Sequence, residues 1–254
     1  MALLELQKLT KCFGGLTAVN ELDLSIREGE IVGLIGPNGA GKTTVLNAIS
    51  GVFRPTKGRV LFNDQDITGL KPHSVVEKGL VRTFQLTTLF RGMTVLDNIL
   101  LGFHITSGTG FWSALFNAAV QGSQKQLLTQ AAGIADFMGL GEKQLELANN
   151  LPHGHQRALG TAIALAARPK LLLLDEPVTG MNEEETEQMM DRIKKTRDKG
   201  ITILLVEHNM RLVMNICDKI CVLNFGKKIA EGYPQEVCRN KDVIAAYLGK
   251  EYVA

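Results

Sequence analysis

Apolar and polar residues alternate through LLELQKLT (3–10) and VNELDLSI (19–26), the period-two pattern of half-buried strands, with Gly14-Gly15 placed to turn between them. Ile31–Ile35 is apolar throughout. A glycine-rich stretch follows it, and a segment with helical spacing closes at Gly51, so strand, loop and helix succeed one another. GRVLFNDQDITGL (58–70) predicts a strand, an Asn63-Asp64 turn and a short second strand. From about Leu80 to Asn150 the spacing is mostly helical, as in VLDNILLGF and QLLTQAAGIADFMGL. KLLLLDEP (170–177) and ITILLVEH (201–208) are continuous apolar runs of strand length, the mark of buried parallel strands, and the helical EEETEQMMDRIKKTRDKG joins them. KICVLNFGKKIAEGYPQEV (219–237) adds a hairpin and a closing helix. The order predicts an α/β core covered on both faces, an antiparallel β subdomain beside it and an α-helical subdomain inserted over about 81–150. Residues 1–80 and 151–254 form the core and β subdomain, and 1–254 is a single domain.

The glycine-rich stretch, Gly36-Pro37-Asn38-Gly39-Ala40-Gly41-Lys42-Thr43, fits G-x-x-x-x-G-K-S/T and stands between a strand and a helix, the context a P-loop requires. Glycines let the backbone curl so that successive N–H groups face phosphate oxygens, and the helix N-terminus adds favourable partial charge. Lys42 is placed to reach the β and γ phosphates and Thr43 to offer its hydroxyl to Mg²⁺. At the end of the LLLL run, Asp175 is a candidate magnesium ligand. If the strand ends there, Glu176 can turn toward the γ-phosphate and polarise a water. Alone, the pair would read equally well as a strand-terminating surface acidic pair. After a P-loop it reads as chemistry.

Composition narrows the class. With 254 residues, 45% hydrophobic and 21% charged, the chain can bury a sizeable core, which excludes a disordered or fibrous protein. The net charge of +2 is spread along the chain and gives no reason to expect nucleic acid as a partner. Apolar stretches such as IALAA before Arg168-Pro169 fall short of the roughly 18 residues of a membrane span. The N-terminus has neither a basic start nor a small-residue cleavage site, so a cytoplasmic chain is expected. Cys12, Cys217, Cys221 and Cys238 are too dispersed for a disulfide framework and lack the neighbours of a zinc site, so they read as buried thiols.

Taken in order, these motifs resemble the ATP-binding-cassette family over essentially the whole chain. Phe13 is similar to the aromatic that stacks on adenine in that family, although by itself it would read as a core residue. Gln85 in VRTFQ resembles the Q-loop glutamine, which links the magnesium and the attacking water to the membrane subunit. His208 in LLVEHNM resembles the switch histidine at the γ-phosphate, and Gly180-Met181-Asn182 resembles the D-loop. The resemblance implies ATP and Mg²⁺ as cofactors, with Phe13, Gly36 to Thr44 (including Pro37, Asn38, Gly39, Ala40, Gly41, Lys42, Thr43 and Thr44) and Gly154 on the nucleotide. It implies Thr43, Gln85 and Asp175 at the metal, and Glu176, His208, Gln85 and Lys42 in hydrolysis. Such chains work as head-to-tail pairs, each ATP clamped between one P-loop and the opposite signature. The implied partners are a second ATPase, expected to be a different chain with a homodimer as the other option, two transmembrane permease subunits, and a periplasmic or extracellular solute-binding protein, the assembly sitting at the cytoplasmic face of the cell membrane.

FGGLTAVN, VRTFQ with LFRGMTVLDN, the long insertion and the ending IAAYLG resemble the ATPases of branched-chain amino-acid importers. ATPases of urea or short-chain amide importers and of lipopolysaccharide exporters are the related alternatives. A soluble cassette protein acting on DNA or ribosomes would carry tandem cassettes or a coiled coil, and neither is present. A non-hydrolysing regulatory subunit is opposed by Glu176, Gln85 and His208.

The signature departs from the family's L-S-G-G-Q, reading Leu151-Pro152-His153-Gly154-His155 before Gln156-Arg157. Pro152 lacks the hydroxyl and N–H of a serine, and losing a hydrogen bond to a charged group costs about 1.5–3 kcal/mol. Two readings stay open: a pair with one weakened ATP site, or replacement donors from His153 and His155. A metal site at His153-x-His155 lacks a third ligand nearby. Phe111, Trp112, Leu115 and Phe116 in the insertion read as packing within the helical subdomain, with docking to a membrane subunit as the alternative.

Overall fold

The computed structural model describes residues 2–83, 89–105 and 121–248. The chain forms two compact units, Met1–Val75 with Lys194–Ala254, and Val76–Ile193.

In the first unit β1 (Ala2–Phe13) and β2 (Leu16–Arg27) make an antiparallel hairpin around Gly14, and β1 pairs on its other side with β4 (Lys57–Phe62). The short β5 (Gln65–Asp66) returns against β4 through Asn63 and Asp64, whose φ values of 50° and 59° match the right-handed twist of a two-residue hairpin loop. Leu4, Leu6, Leu9, Leu22, Leu24, Ile26, Val60 and Phe62 are buried, so the sheet turns one apolar face inward as the alternation predicts. Both hairpin strands run past the alternating segments, because backbone pairing continues where the side-chain pattern stops.

A second group of strands holds the unit's centre. Here β3 (Ile31–Ile35) lies parallel to both β8 (Thr202–Val206) and β9 (Lys219–Asn224), and β10 (Lys227–Gly232) returns antiparallel to β9. Every residue of β3 and β8 is buried, as expected of parallel strands covered on both faces. Gly29 N donates to Thr202 Oγ1 at 3.0 Å and Ile31 N to Asp218 Oδ2 at 2.8 Å, which fixes where β3 begins. Helices α1 (Lys42–Ile49), α7 (Met210–Ile216), α8 (Pro234–Val237) and α9 (Lys241–Leu248) belong to this unit. The closing segment is therefore two helices. A short α2 (Pro72–Glu77), which the spacing does not announce, follows β5.

The second unit contains β6 (Leu80–Arg82), parallel to β7 (Leu171–Asp175), and helices α3 (Val95–Ile105), α4 (Gln121–Phe137) and α5 (His153–Ala166), with α6 (Glu183–Asp198) beginning in it. Leu80–Arg82 is thus a strand at the start of a stretch whose spacing predicts mostly helix, because three residues carry no period and their backbone pairs with β7. The buried Asn98 ties the segment before α3, its side chain accepting from Phe90 N at 3.0 Å and donating to Thr94 O at 2.9 Å. Phe111, Trp112, Leu115 and Phe116 lie outside the described residues. No helix among the described residues is long and apolar enough to cross a membrane.

The cysteines divide. Burial, joined by the Asp218 and Glu207 carboxylates, pushes the Cys217 thiol up to about 12, and burial with Glu231 nearby does the same for Cys221. Cys12 is half-buried and Cys238 exposed, so the reading of all four as buried thiols holds only for the pair. Cys12 sits beside the Gly14-Gly15 turn of the hairpin and Cys238 at the end of α8, where little chain covers them.

Candidate functional site

Where β3 ends, the chain turns through Gly36 and reaches α1 by way of Gly39 (φ 78°) and Gly41 (φ 104°), left-handed positions that suit glycine. At Gly41 space is also decisive, since a Cβ there would lie 2.6 Å from the Ala18 carbonyl. Gly41 is the N-cap of α1 and provides no side-chain cap, and a helix start of this kind suits an anion. Lys42 Nζ folds back onto the loop, donating to Gly36 O at 2.7 Å and Pro37 O at 3.0 Å. Thr43 is exposed and Thr44 half-buried. Asn38 and Gly39 are exposed, Pro37 is half-buried, and Gly36 and Ala40 are buried beneath them.

The loop is braced from a place the motif does not reveal. Gly226, in the turn between β9 and β10, donates its N–H to Ala40 O at 3.0 Å, and its own carbonyl accepts from Asn20 N at 2.8 Å. Tyr247 of α9 comes to the same loop: burial raises its phenol, against a hydrogen bond with the Gly36 backbone that lowers it.

Phe13 stands at the end of β1 with 47% of its surface exposed. Its ring meets Phe53 edge-on, with centroids 5.5 Å apart and planes at 90°. Lys11 Nζ lies 5.1 Å from the Phe13 centroid and 4.5 Å from that of Phe53, and is held there by donating to Arg54 O at 2.9 Å. An exposed aromatic face backed in this way suits a flat base. Phe53 and Lys11 carry no motif that marks them in the sequence.

After β8, Glu207 is fully buried and its carboxylate accepts from the backbone N–H groups of His208 at 3.0 Å and Asn209 at 3.2 Å. Asn209 in turn caps α7, accepting from Leu212 N at 3.1 Å. The chain is therefore turned so that the imidazole of His208 faces outward, with 60% of the side chain exposed. Glu207 holds the backbone on which His208 stands, and no local motif marks it.

In the second unit Asp175 is the last residue of β7, and Glu176 takes a left-handed φ of 49°. The strand ends at Asp175, which frees Glu176 from the strict alternation of a strand. Thr179 Oγ1 donates to Glu176 Oε2 at 3.3 Å. Asp175 is nearly buried. Its Oδ2 lies 2.8 Å from Arg82 Nη2, and its N–H donates to Thr83 Oγ1 at 3.3 Å. Gln85, three residues past Arg82, lies outside the described residues.

Pro152 is the N-cap of α5 and gives it no side-chain cap. A Cβ on the buried Gly154 would lie 2.9 Å from Glu185 Oε1. Glu185 is held by a capping box with Asn182: Glu185 N donates to Asn182 Oδ1 at 2.9 Å and Asn182 N to Glu185 Oε2 at 3.0 Å. The segment Gly180-Met181-Asn182 thus reaches the signature glycine through one carboxylate. His153 is exposed. His155 is half-buried, and its Nδ1, like Arg157 Nε, has no hydrogen-bond partner among the described residues.

No group of three His, Cys, Asp or Glu residues able to hold a metal occurs among the described residues. Thr43 in the first unit and Asp175 in the second each offer an oxygen donor of the kind a hard cation such as Mg²⁺ takes alongside phosphate and water.

A glycine loop that follows a buried strand and opens onto a helix without a side-chain cap defines a P-loop nucleotide-binding protein. The ABC transporter family matches residues 19–179, and a family described as branched-chain amino acid ATP-binding cassette transporter matches 227–253. The chain is 44% identical over 250 residues to the high-affinity branched-chain amino acid transport ATP-binding protein LivG of Salmonella typhimurium, covering 98% of each. It is 42% identical to BraF, the protein of the same description from Pseudomonas aeruginosa, again covering 98% of each. The structure superposes on the ADP conformation of the ATP-binding cassette MJ1267 with a TM-score of 0.86 at 31% identity, covering 98% of this chain and 99% of that one. The chain belongs to the ABC transporter family. It is an ATP-hydrolysing cassette of the kind whose hydrolysis is coupled to transport.

Proposed function

We propose that this chain powers an importer of branched-chain amino acids, working as a peripheral subunit at the cytoplasmic face of the membrane. The observation that carries the solute class is the match of residues 227–253 to the branched-chain amino acid cassette family, supported by 44% identity to LivG over nearly the whole chain. Two permease subunits, a separate solute-binding protein and a second ATPase complete the assembly in this reading. The chain acts as one cassette, residues 1–80 and 151–254 serving as its nucleotide-binding core and about 81–150 as its helical subdomain.

The residues divide the work as follows. Phe13 takes the adenine on its exposed face. The N–H groups of Gly36 to Thr44 take the phosphates, and Lys42 leaves the loop carbonyls for the β and γ phosphates. Thr43, Asp175 and Gln85 hold Mg²⁺, which when bound neutralises phosphate charge. Glu176 orients and polarises the attacking water, and His208, set by Glu207, senses the γ-phosphate. Gly154 presents the start of α5 to the nucleotide held by the partner ATPase.

The test is ATP hydrolysis by the chain with its permease, its binding protein and its second ATPase, beside Glu176→Gln. Loss of a general base predicts a fall of about 10²- to 10⁴-fold in turnover. ATP binding is retained, and gel filtration in Mg-ATP shows a trapped pair. Uptake of labelled leucine, with no uptake of urea, is expected in the intact assembly. Urea uptake without leucine uptake would overturn the solute class, and undiminished hydrolysis by the variant would remove Glu176 from its role.

A further inference from the structure

Arg82 and Asp175 form an ion pair that is almost wholly out of water, with 9% and 8% of the side chains exposed and 2.8 Å between Nη2 and Oδ2. It is built into the fold. Strand β6 runs parallel to β7 with Arg82 in register with Leu173, and the next residue, Thr83, sends both its N–H (2.9 Å) and its Oγ1 (3.2 Å) to Leu173 O. Thr83 Oγ1 also accepts from Asp175 N. The arginine is thus anchored by the sheet ladder on the strand beside the carboxylate, unlike a surface pair free to drift apart.

A buried carboxylate needs a compensating charge, and Arg82 supplies it here. A divalent cation arriving alone at Asp175 would therefore bring its charge up against a guanidinium in a poorly screened place. Arriving with ATP, it brings the phosphates' negative charge with it. Resting on the reading of Asp175 as a magnesium ligand, we propose that Arg82 is a positioning residue that closes Asp175 to a bare divalent cation, so that the metal is admitted only together with nucleotide phosphates.

Manganese replaces magnesium at oxygen sites and is visible by electron paramagnetic resonance, so binding is followed without turnover. The guanidinium and an arriving cation compete for the same carboxylate charge in a poorly screened place. In nucleotide-free protein, Arg82→Gln is expected to bind Mn²⁺ at least about tenfold more tightly than the unmodified chain, whereas Arg82→Lys, which keeps the charge, matches the unmodified chain. Equal affinity in Arg82→Gln and the unmodified chain overturns the proposal. The unmodified chain offers a check that does not depend on a variant's folding: millimolar Mn²⁺ without nucleotide should leave its thermal midpoint unchanged. A rise that Asp175→Asn abolishes would show the carboxylate open to bare cation and overturn the proposal. Mn-ATP binding by Asp175→Asn separates the two readings, since an unaltered affinity there means that Asp175 is no ligand, whatever Arg82 does.

Discussion

Pro152 occupies a position where the backbone is already that of a good N-cap, with φ −55° and ψ 156°, but it has no oxygen to accept from the first turn of α5. A serine fits the same dihedrals. Pro152→Ser adds a cap worth about 1 kcal/mol and gives up a rigid residue worth about 0.4–1 kcal/mol through the unfolded chain. These offset, so the denaturation midpoint should move little. A change in ATP handling can then be assigned to the signature itself. If the missing donor weakens the site this signature serves, ATP there should bind about ten- to a hundredfold more tightly in the variant, measured on the assembled ATPase pair. Unaltered affinity and rate would favour His153, exposed on the first turn, as the replacement donor. The inward-facing Nδ1 of His155 makes that ring the poorer candidate. Glu185 bears on the same outcome, because a residue larger than glycine at position 154 would press on its carboxylate.

At the scale of elements, the P-loop is held by the hairpin of β9 and β10 as well as by its own strand and helix. Phe225 and Gly226 turn that hairpin with φ of 45° and 76°, and a Cβ on Gly226 would lie 2.6 Å from Ala18 O. Gly226→Ala should therefore strain the turn and pull at Ala40, lowering ATP affinity about tenfold through a residue with no proposed contact to nucleotide, as isothermal titration would measure. Normal affinity in a folded variant would show that the loop keeps its shape without the brace. This support explains what the sequence did and did not reveal. Ile31–Ile35 and Leu171–Asp175 were legible because runs of buried apolar residues end at residues that cannot continue them. The Asn63-Asp64 turn was legible because local sterics select its residues. Leu80–Arg82 was too short for periodicity and exists as a strand by pairing with residues some ninety positions away. Gly226, Phe53, Lys11, Arg82 and Glu207 matter through contacts with distant or unremarkable neighbours, and no local pattern announces such contacts.

For the molecule as a whole, the same burial that hides Cys217 and Cys221 ties the stability of the first unit to pH. Both thiols ordinarily titrate near 9 and are pushed up to about 12 in the folded chain. Below 9 they are protonated in both folded and unfolded chains, and their contribution is fully present. As pH rises from 9 toward 12 the unfolded chain releases protons that the folded one keeps, so each thiol withdraws about 1.4 kcal/mol of stability per pH unit. At pH 10 the two together withdraw up to about 3 kcal/mol, a large share of the roughly 5–15 kcal/mol that holds a domain folded. Urea midpoints between pH 8 and pH 10 should therefore fall more steeply for the unmodified chain than for Cys217→Ala/Cys221→Val, which has nothing to titrate at these positions. The comparison cancels the lysines and tyrosines common to both chains. Parallel slopes would mean that water reaches the thiols from β9 and the end of α7, and that the core of the first unit is looser than its buried strands imply.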